Sequence, residues 1–241
     1  MVSVWYHNNL LLIIILFSLQ IVKKKFEVSS DAQCTFFNFY LIQSMIIEDL
    51  LLSYGADYKN YKTNETIFSE SEIPSYYFQI IKGTVKINNY NDNGKEFIQA
   101  IITVGESLVV TSLFNEKPYP VNAIAFEECQ LIRLPKQQYY DLLKENPEIY
   151  EKMMPYISET MYYQYIMMQS MSFHNPENKL KTLMDYFKNR YENLSPYSYQ
   201  VPFTRQQLAS LTGLSVETVI RVTKSMEKNE ILKIKNRKIF Y

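Results

Sequence analysis

The sequence is poor in the residues from which many active sites are built. Five glycines occur in 241 residues, each standing alone, at Gly55, Gly83, Gly94, Gly105 and Gly213. No glycine-rich loop can therefore cradle a nucleoside phosphate in the Walker or dinucleotide manner. Two cysteines, Cys34 and Cys129, are too few for a disulfide framework or an iron–sulfur cluster, and two distant histidines, His7 and His174, cannot supply a metal triad. No catalytic residue, metal ligand set or cofactor motif is identified, so an enzyme is not expected. Net charge is lacking as well: 25 basic side chains balance 25 acidic ones. A neutral chain at first argues against nucleic acid as a partner.

What is present is a globular composition, 47% apolar and 21% charged, enough for one large or two small domains without a bias toward disorder. The neutral total also hides an asymmetry. From Lys179 to Tyr241 there are 12 basic against 5 acidic residues, a net of +7, which leaves −7 on residues 1–178. A basic end joined to an acidic remainder is what a DNA-binding module fused to a sensor would show.

Near the N-terminus, Leu10 to Val22 read LLLIIILFSLQIV and are followed by Lys23-Lys24-Lys25. Such a run falls short of the roughly 20 residues that span a bilayer. Its lysines follow the apolar stretch, whereas a secretory signal carries its charge in front. Residues 1–44 are expected to be an extension or an over-long start, with Met45 opening the amphipathic IIEDLLLSYG; a membrane anchor is the alternative.

Between Tyr58 and Leu134, short segments rich in Ile, Val, Tyr and Phe (YYFQIIK, TVKINNY, EFIQAIITV, NAIAF, CQLIRL) alternate with turn signals at Gly83, Asn91-Asp92-Asn93-Gly94 and Lys117-Pro118-Tyr119-Pro120. This spacing predicts an antiparallel all-β module, with Asp92-Asn93-Gly94 as a hairpin turn. Helical periodicity follows. Pro135 to Leu143 gives a short helix, and Pro147 opens a longer one, EIYEKMMPYISETMYYQYIMMQSM. Its apolar positions Ile149, Met153, Ile157, Met161, Met168 and Met171, with Gln164 or Tyr165 filling the gap, could form the seam of a paired helix or could pack on the β module. Pro155 is expected to bend or restart the helix, and His174-Asn175-Pro176 to end it at a hinge.

The strongest pattern is TRQQLASLTGLSVETVIRVTKSMEKNEILKIKNRKIFY, from Thr204 to Tyr241. Thr204 with Gln207 forms a capping box, Leu208 and Leu211 give a buried side, and Gly213 breaks the helix. Ser215 then caps a second helix with Val219, Val222 and Met226 facing inward. Two short helices joined through a glycine turn make a helix-turn-helix, whose second helix enters the major groove. EILKI and KIFY around Lys235-Asn236-Arg237 read as a β wing. On the second helix Glu217 and Arg221 are four apart, where the carboxylate can hold the guanidinium; arginine reads guanine and glutamate accepts from cytosine. An ordinary exposed ion pair is the alternative for these two alone. Thr204, Arg205, Ser215, Thr218, Lys224, Lys228 and Arg237 form the expected backbone-contacting set.

This motif closely resembles the helix-turn-helix of the Crp/Fnr family of bacterial regulators, and the similarity runs in the same order from about Met45 to Tyr241, with Gly83, Gly94 and Gly105 where that family's β-roll turns. The resemblance implies an α+β fold: an antiparallel, jelly-roll-like, cyclic-nucleotide-binding-like β-roll over residues 45–145, a dimerisation helix over 146–173, and a winged helix-turn-helix over 174–241. It implies base reading by Val216, Glu217 and Arg221 in the Val-Glu-x-x-x-Arg form of Fnr, hence a palindrome with TTGAT-like half-sites, and pairing of subunits through Ile157, Met161, Gln164, Met168 and Met171. The implied partners are double-stranded DNA, a second copy of the chain, an unidentified small-molecule effector and, for an activator, RNA polymerase; the expected location is the cytoplasm. A membrane-attached sensor, or a cyclic-nucleotide-type module without a DNA role, are the alternatives.

The chain departs from the family at the effector site. Cyclic-nucleotide-binding members use a Gly-Glu pair for the ribose and a following arginine for the phosphate. Here Val109 and Val110 stand at the first two positions and Tyr119 near the third, and no arginine lies between Lys117 and Arg133. A buried phosphate would lack its guanidinium, so cyclic AMP is not expected to bind in the family's usual way. Gly105-Glu106 comes too early and reads as a loop turn. The cysteine cluster of Fnr is absent, and Cys129 reads as buried filler.

Overall fold

The computed structural model describes residues 45–189 and 193–241. The Leu10 to Val22 run, Cys34 and His7 lie outside the described residues. Among the described residues no helix is long and apolar enough to cross a membrane.

The described residues open with helix α1 (Glu48–Ser53). Seven strands follow: β1 (Asp57–Tyr61), β2 (Thr66–Phe68), β3 (Tyr76–Lys82), β4 (Val85–Tyr90), β5 (Glu96–Ile102), β6 (Asn122–Ala125) and β7 (Cys129–Pro135), with a 3-10 turn at Val110–Phe114 between β5 and β6. They form two antiparallel sheets, ordered β1-β7-β3 and β2-β6-β4-β5. Inward residues of both sheets, among them Phe68, Phe78, Ile80, Val85, Ile87, Leu131 and Ala123, share one buried cluster. This is the antiparallel roll expected from the alternation. β1 and β2 have only one buried residue each, which is why the sequence pattern left them unmarked. At the β4–β5 hairpin, Gly94 takes φ +70°, and the Asn91 side chain accepts from the amides of Asn93 and Lys95 at 3.1 and 2.9 Å.

Met45 and Ile46 belong to the roll. The Met45 amide donates to the Gly105 carbonyl at 3.0 Å. The buried Gln79 amide pairs with both backbone groups of Ile46, at 3.0 and 2.9 Å, and accepts from the Tyr77 hydroxyl at 2.8 Å. These bonds satisfy polar groups that burial would otherwise penalise.

Helices α2 (Lys136–Glu145) and α3 (Ile149–Met171) follow β7. Pro155 does not restart α3, which runs unbroken through it. Pro155 and Glu151, whose carbonyl it leaves without an amide partner, are both exposed, so water can take that bond. α3 links two cores. Ile149 and Met153 are buried with α1, α2 and β3 of the roll, and Ile157 packs against them; Tyr163 and Met167 are buried in the C-terminal cluster. Ile149, Met153 and Ile157 pack on the roll of their own subunit, and Met171 is half-buried. The residues left exposed are Met154, Met161, Tyr162, Tyr165 and Met168, with Gln164 also exposed.

The C-terminal region contains α4 (Pro176–Lys188), β8 (Gln200–Val201), α5 (Arg205–Thr212), α6 (Val216–Lys228), β9 (Lys233–Lys235) and β10 (Lys238–Phe240). Asn175 caps α4 by accepting from the Glu177 amide at 2.9 Å, with Pro176 at the first helical position. The three strands form a small antiparallel sheet ordered β8-β10-β9. Leu180, Leu183, Leu208, Leu211, Val219, Met226 and Ile239 fill this region's core, and Ile98 of β5 is buried in the same cluster.

Candidate nucleic-acid interface

Local rules build the helix-turn-helix as the sequence dictates. Thr204 caps α5 through a complete capping box: the Gln207 amide donates to its hydroxyl at 3.2 Å and the Thr204 amide to the Gln207 side chain at 2.7 Å. Gly213 ends α5 in the left-handed region at φ +71°, a conformation that a Cβ disfavours. Ser215 caps α6 by accepting from the Thr218 amide at 3.2 Å, and Val219, Val222 and Met226 are buried beneath it. The wing turns at Asn236 and Arg237, both with positive φ, between β9 and β10.

The buried side of α6 fixes which residues face out. Glu217, Ile220, Arg221, Lys224 and Lys228 are exposed. Val216 is only half-exposed and packs against the C-terminal core. Glu217 and Arg221 are not joined as the spacing suggested. The Glu217 carboxylate sits in the first turn, where its own amide and the Ser215 hydroxyl hold it below the ordinary glutamate range. The free amides and dipole of a helix N-terminus satisfy a carboxylate there, so Arg221 extends into solvent without it.

The expected backbone-contacting residues divide. Lys224, Lys228 and Arg237 are exposed and free to meet phosphates. Thr204, Ser215 and Thr218 are occupied with capping, Ser215 and Thr218 also sharing a hydroxyl contact at 3.1 Å. Arg205 is half-buried and donates to the Arg237 carbonyl; desolvation lowers its pKa. Its guanidinium ties α5 to the wing. Sequence reasoning missed Ile220 and Lys95. Lys95, at the β4–β5 hairpin, donates to the Gly213 carbonyl at 3.2 Å and adds a favourable charge near Glu217. Only the tertiary fold brings that hairpin to the turn; Ile220 could have been found by asking which apolar residue falls off the buried stripe.

The residues expected at the effector site divide as well. Val110 is buried in the cluster that the roll forms with α1 and α2, while Val109 and Tyr119 belong to the roll interior. Tyr119 is stacked on Phe68 with ring centroids 3.8 Å apart, and burial raises its pKa. Val109 holds φ 42° and ψ 41°, a left-handed conformation costly for a β-branched residue. Glu106 is occupied in its loop, accepting from the Thr103 amide at 2.7 Å. Arg133 makes a forked contact with Asp57 at 2.9 and 3.0 Å. Cys129 is buried and its thiol is pushed up to about 11 by desolvation. Among the described residues no group of three His, Cys, Asp or Glu side chains could hold a metal.

An antiparallel roll, a helix joining two cores and a winged helix-turn-helix with an open second helix make up the architecture of a DNA-binding transcription regulator. The cyclic nucleotide-binding domain family matches residues 58–146, and the Crp-like helix-turn-helix domain family matches residues 181–240. Among curated proteins, the cAMP-activated global transcriptional regulator CRP of Haemophilus influenzae is 24% identical over 174 residues, 71% of this chain and 78% of that protein. The fumarate and nitrate reduction regulatory protein of Vibrio cholerae is 26% identical over 180 residues, 74% and 71% of the two chains. Among solved structures, the c-di-GMP responsive global regulator CLP of Xanthomonas campestris superposes with a TM-score of 0.66 at 20% identity, covering 80% of this chain and 96% of that one. The chain belongs to the Crp/Fnr family of transcription regulators, a non-enzymatic class.

Proposed function

We propose that the protein binds a pseudo-palindromic DNA site as a homodimer, with α6 of each subunit in the major groove and Arg221 and Glu217 reading a G·C pair. The observation that carries this is the exposed row Glu217, Arg221, Lys224 and Lys228 on a helix whose opposite side is buried, next to a basic wing. Lys224, Lys228 and Arg237 supply sequence-independent contacts to phosphates. Met154, Met161, Tyr165 and Met168, exposed on α3 at steps of seven, four and three, support pairing of two α3 helices. Residues 45–145 act as the sensor region, 146–173 as the pairing helix and 174–241 as the DNA-binding region of a cytoplasmic regulator. RNA polymerase is a further partner where it activates.

The roll does not take cyclic AMP in the family's usual way. A ribose phosphate needs a carboxylate and a guanidinium facing inward, and this interior instead carries Val109 and the Phe68–Tyr119 stack, while Arg133 is held by Asp57. The test is selection of duplexes from a random pool by the full chain, followed by binding titrations. A half-site repeated about one helical turn apart, lost in Arg221→Ala and indifferent to cyclic AMP, is expected. Failure to select any sequence, with normal folding, would favour a regulatory module without a DNA role.

A further inference from the structure

The exposed side of α6 carries one large apolar residue among its charges. Ile220 is 42% exposed, whereas Val219, Val222 and Met226 are buried. At about 100° per residue, Ile220 lies roughly 60° round the helix from Glu217 and roughly 40° from Lys224, on the flank of the row that faces DNA. Val216, one turn earlier, sits on the same flank, half-buried and anchored in the core. Two parallel rows result, a polar one of Glu217 and Arg221 and an apolar one of Val216 and Ile220.

We infer that Ile220, backed by Val216, is a specificity-determining residue that packs on the C5-methyl group of a thymine beside the G·C pair read by the polar row. The inference rests on the proposed DNA-binding role. A branched hydrocarbon side chain can neither donate nor accept, and the thymine methyl is the apolar feature that base edges present in the major groove. A cytosine there offers an amino group that Ile220 cannot satisfy, and burying an unpaired donor is unfavourable. The apolar flank therefore discriminates by contact with the methyl and by leaving a polar base edge unpaired.

The test uses the full chain and the duplex it selects from a random pool, with each thymine of the half-site replaced in turn by deoxyuridine, which removes only the methyl. At one thymine beside the G·C pair, the substitution should weaken wild-type binding about fourfold, the worth of one buried methyl group. Ile220→Ala, which retains the helix because alanine favours it, should bind the thymine and uracil duplexes equally, while Ile220→Val keeps most of the discrimination. A uracil scan that is flat for the wild type overturns the inference, and so does a thymine preference that persists in Ile220→Ala. Selection of no sequence at all removes the DNA-binding role and this inference with it, whereas a flat scan on a well-defined site removes the inference alone.

Discussion

The helix-turn-helix and the β-roll use their side chains in opposite directions. In the former, burial of Val219, Val222 and Met226 pushes a row of charged residues outward. In the latter, the residues expected at the effector site pack into apolar clusters, with Tyr119 stacked on Phe68 and Val110 committed to the helical side of the roll. One region carries its charges on the surface, and the other fills its interior with apolar and aromatic side chains.

Substitutions that damage one region should therefore be read out differently from those in the other. The largest effect expected is on the roll: Tyr119→Ala removes half of the Phe68 stack and should cost about 3–5 kcal/mol of stability by chemical denaturation, with no defect in DNA contacts beyond that from unfolding. Gly83→Ala comes next. Gly83 has φ +86°, and a Cβ there would lie 2.5 Å from the Glu128 carbonyl oxygen and 2.7 Å from the Cys129 Cβ. The variant should lose about 3 kcal/mol or more. Gly94→Ala, with similar φ but open space around it, should lose only about 1–2 kcal/mol. Equal losses at the two glycines would show that the close approach of Glu128 is unimportant.

Arg221→Ala reverses the pattern. Thermal unfolding should be unchanged, because the side chain is exposed, while specific binding falls by about 1–3 kcal/mol per half-site and preference relaxes at one base pair in each. Arg237→Ala should weaken binding to all sequences alike and reduce the salt dependence by about 0.9 in log–log slope per subunit, about 1.8 for the homodimer. The smallest effect concerns pH. The Arg133 guanidinium holds the Asp57 carboxyl below its ordinary range, so the pair's contribution is complete above the unfolded aspartate value of about 3.9. It is lost as pH falls through the lowered folded-state value. Asp57→Asn should remove that part of the acid limb of stability and leave DNA binding at neutral pH intact.

The two regions also differ in how much of them the sequence discloses. Capping by Thr204 and Ser215, the glycine stop at Gly213 and the buried stripe of α6 are rules of residues three or four apart, and each holds in the structure. The main strands and the β4–β5 hairpin are legible for the same reason. The packing of α3 is not, because this helix carries apolar residues on more than one side. Period alone cannot say that Ile149, Met153 and Ile157 pack inward while Met161 and Met168 remain exposed. Glu217 and Arg221 share a face as their spacing requires, yet the helix N-terminus draws the carboxylate away. Arg205 looks like a phosphate ligand in one dimension and is turned to the wing carbonyl in three. Val109 and Val110 are neighbours in sequence that enter different clusters, with a left-handed backbone at Val109 that the sequence does not announce.

The central proposal is that this family member reads DNA through α6 while its roll does not take cyclic AMP in the family's usual way. It is tested most directly by titrating the full chain against its selected duplex with and without saturating cyclic AMP, in parallel with Arg221→Ala. The account predicts one wild-type binding curve regardless of nucleotide, and a curve for the variant that is shifted weaker by roughly tenfold or more. A wild-type affinity that rises with cyclic AMP, or an Arg221→Ala curve that overlays the wild type, would contradict it.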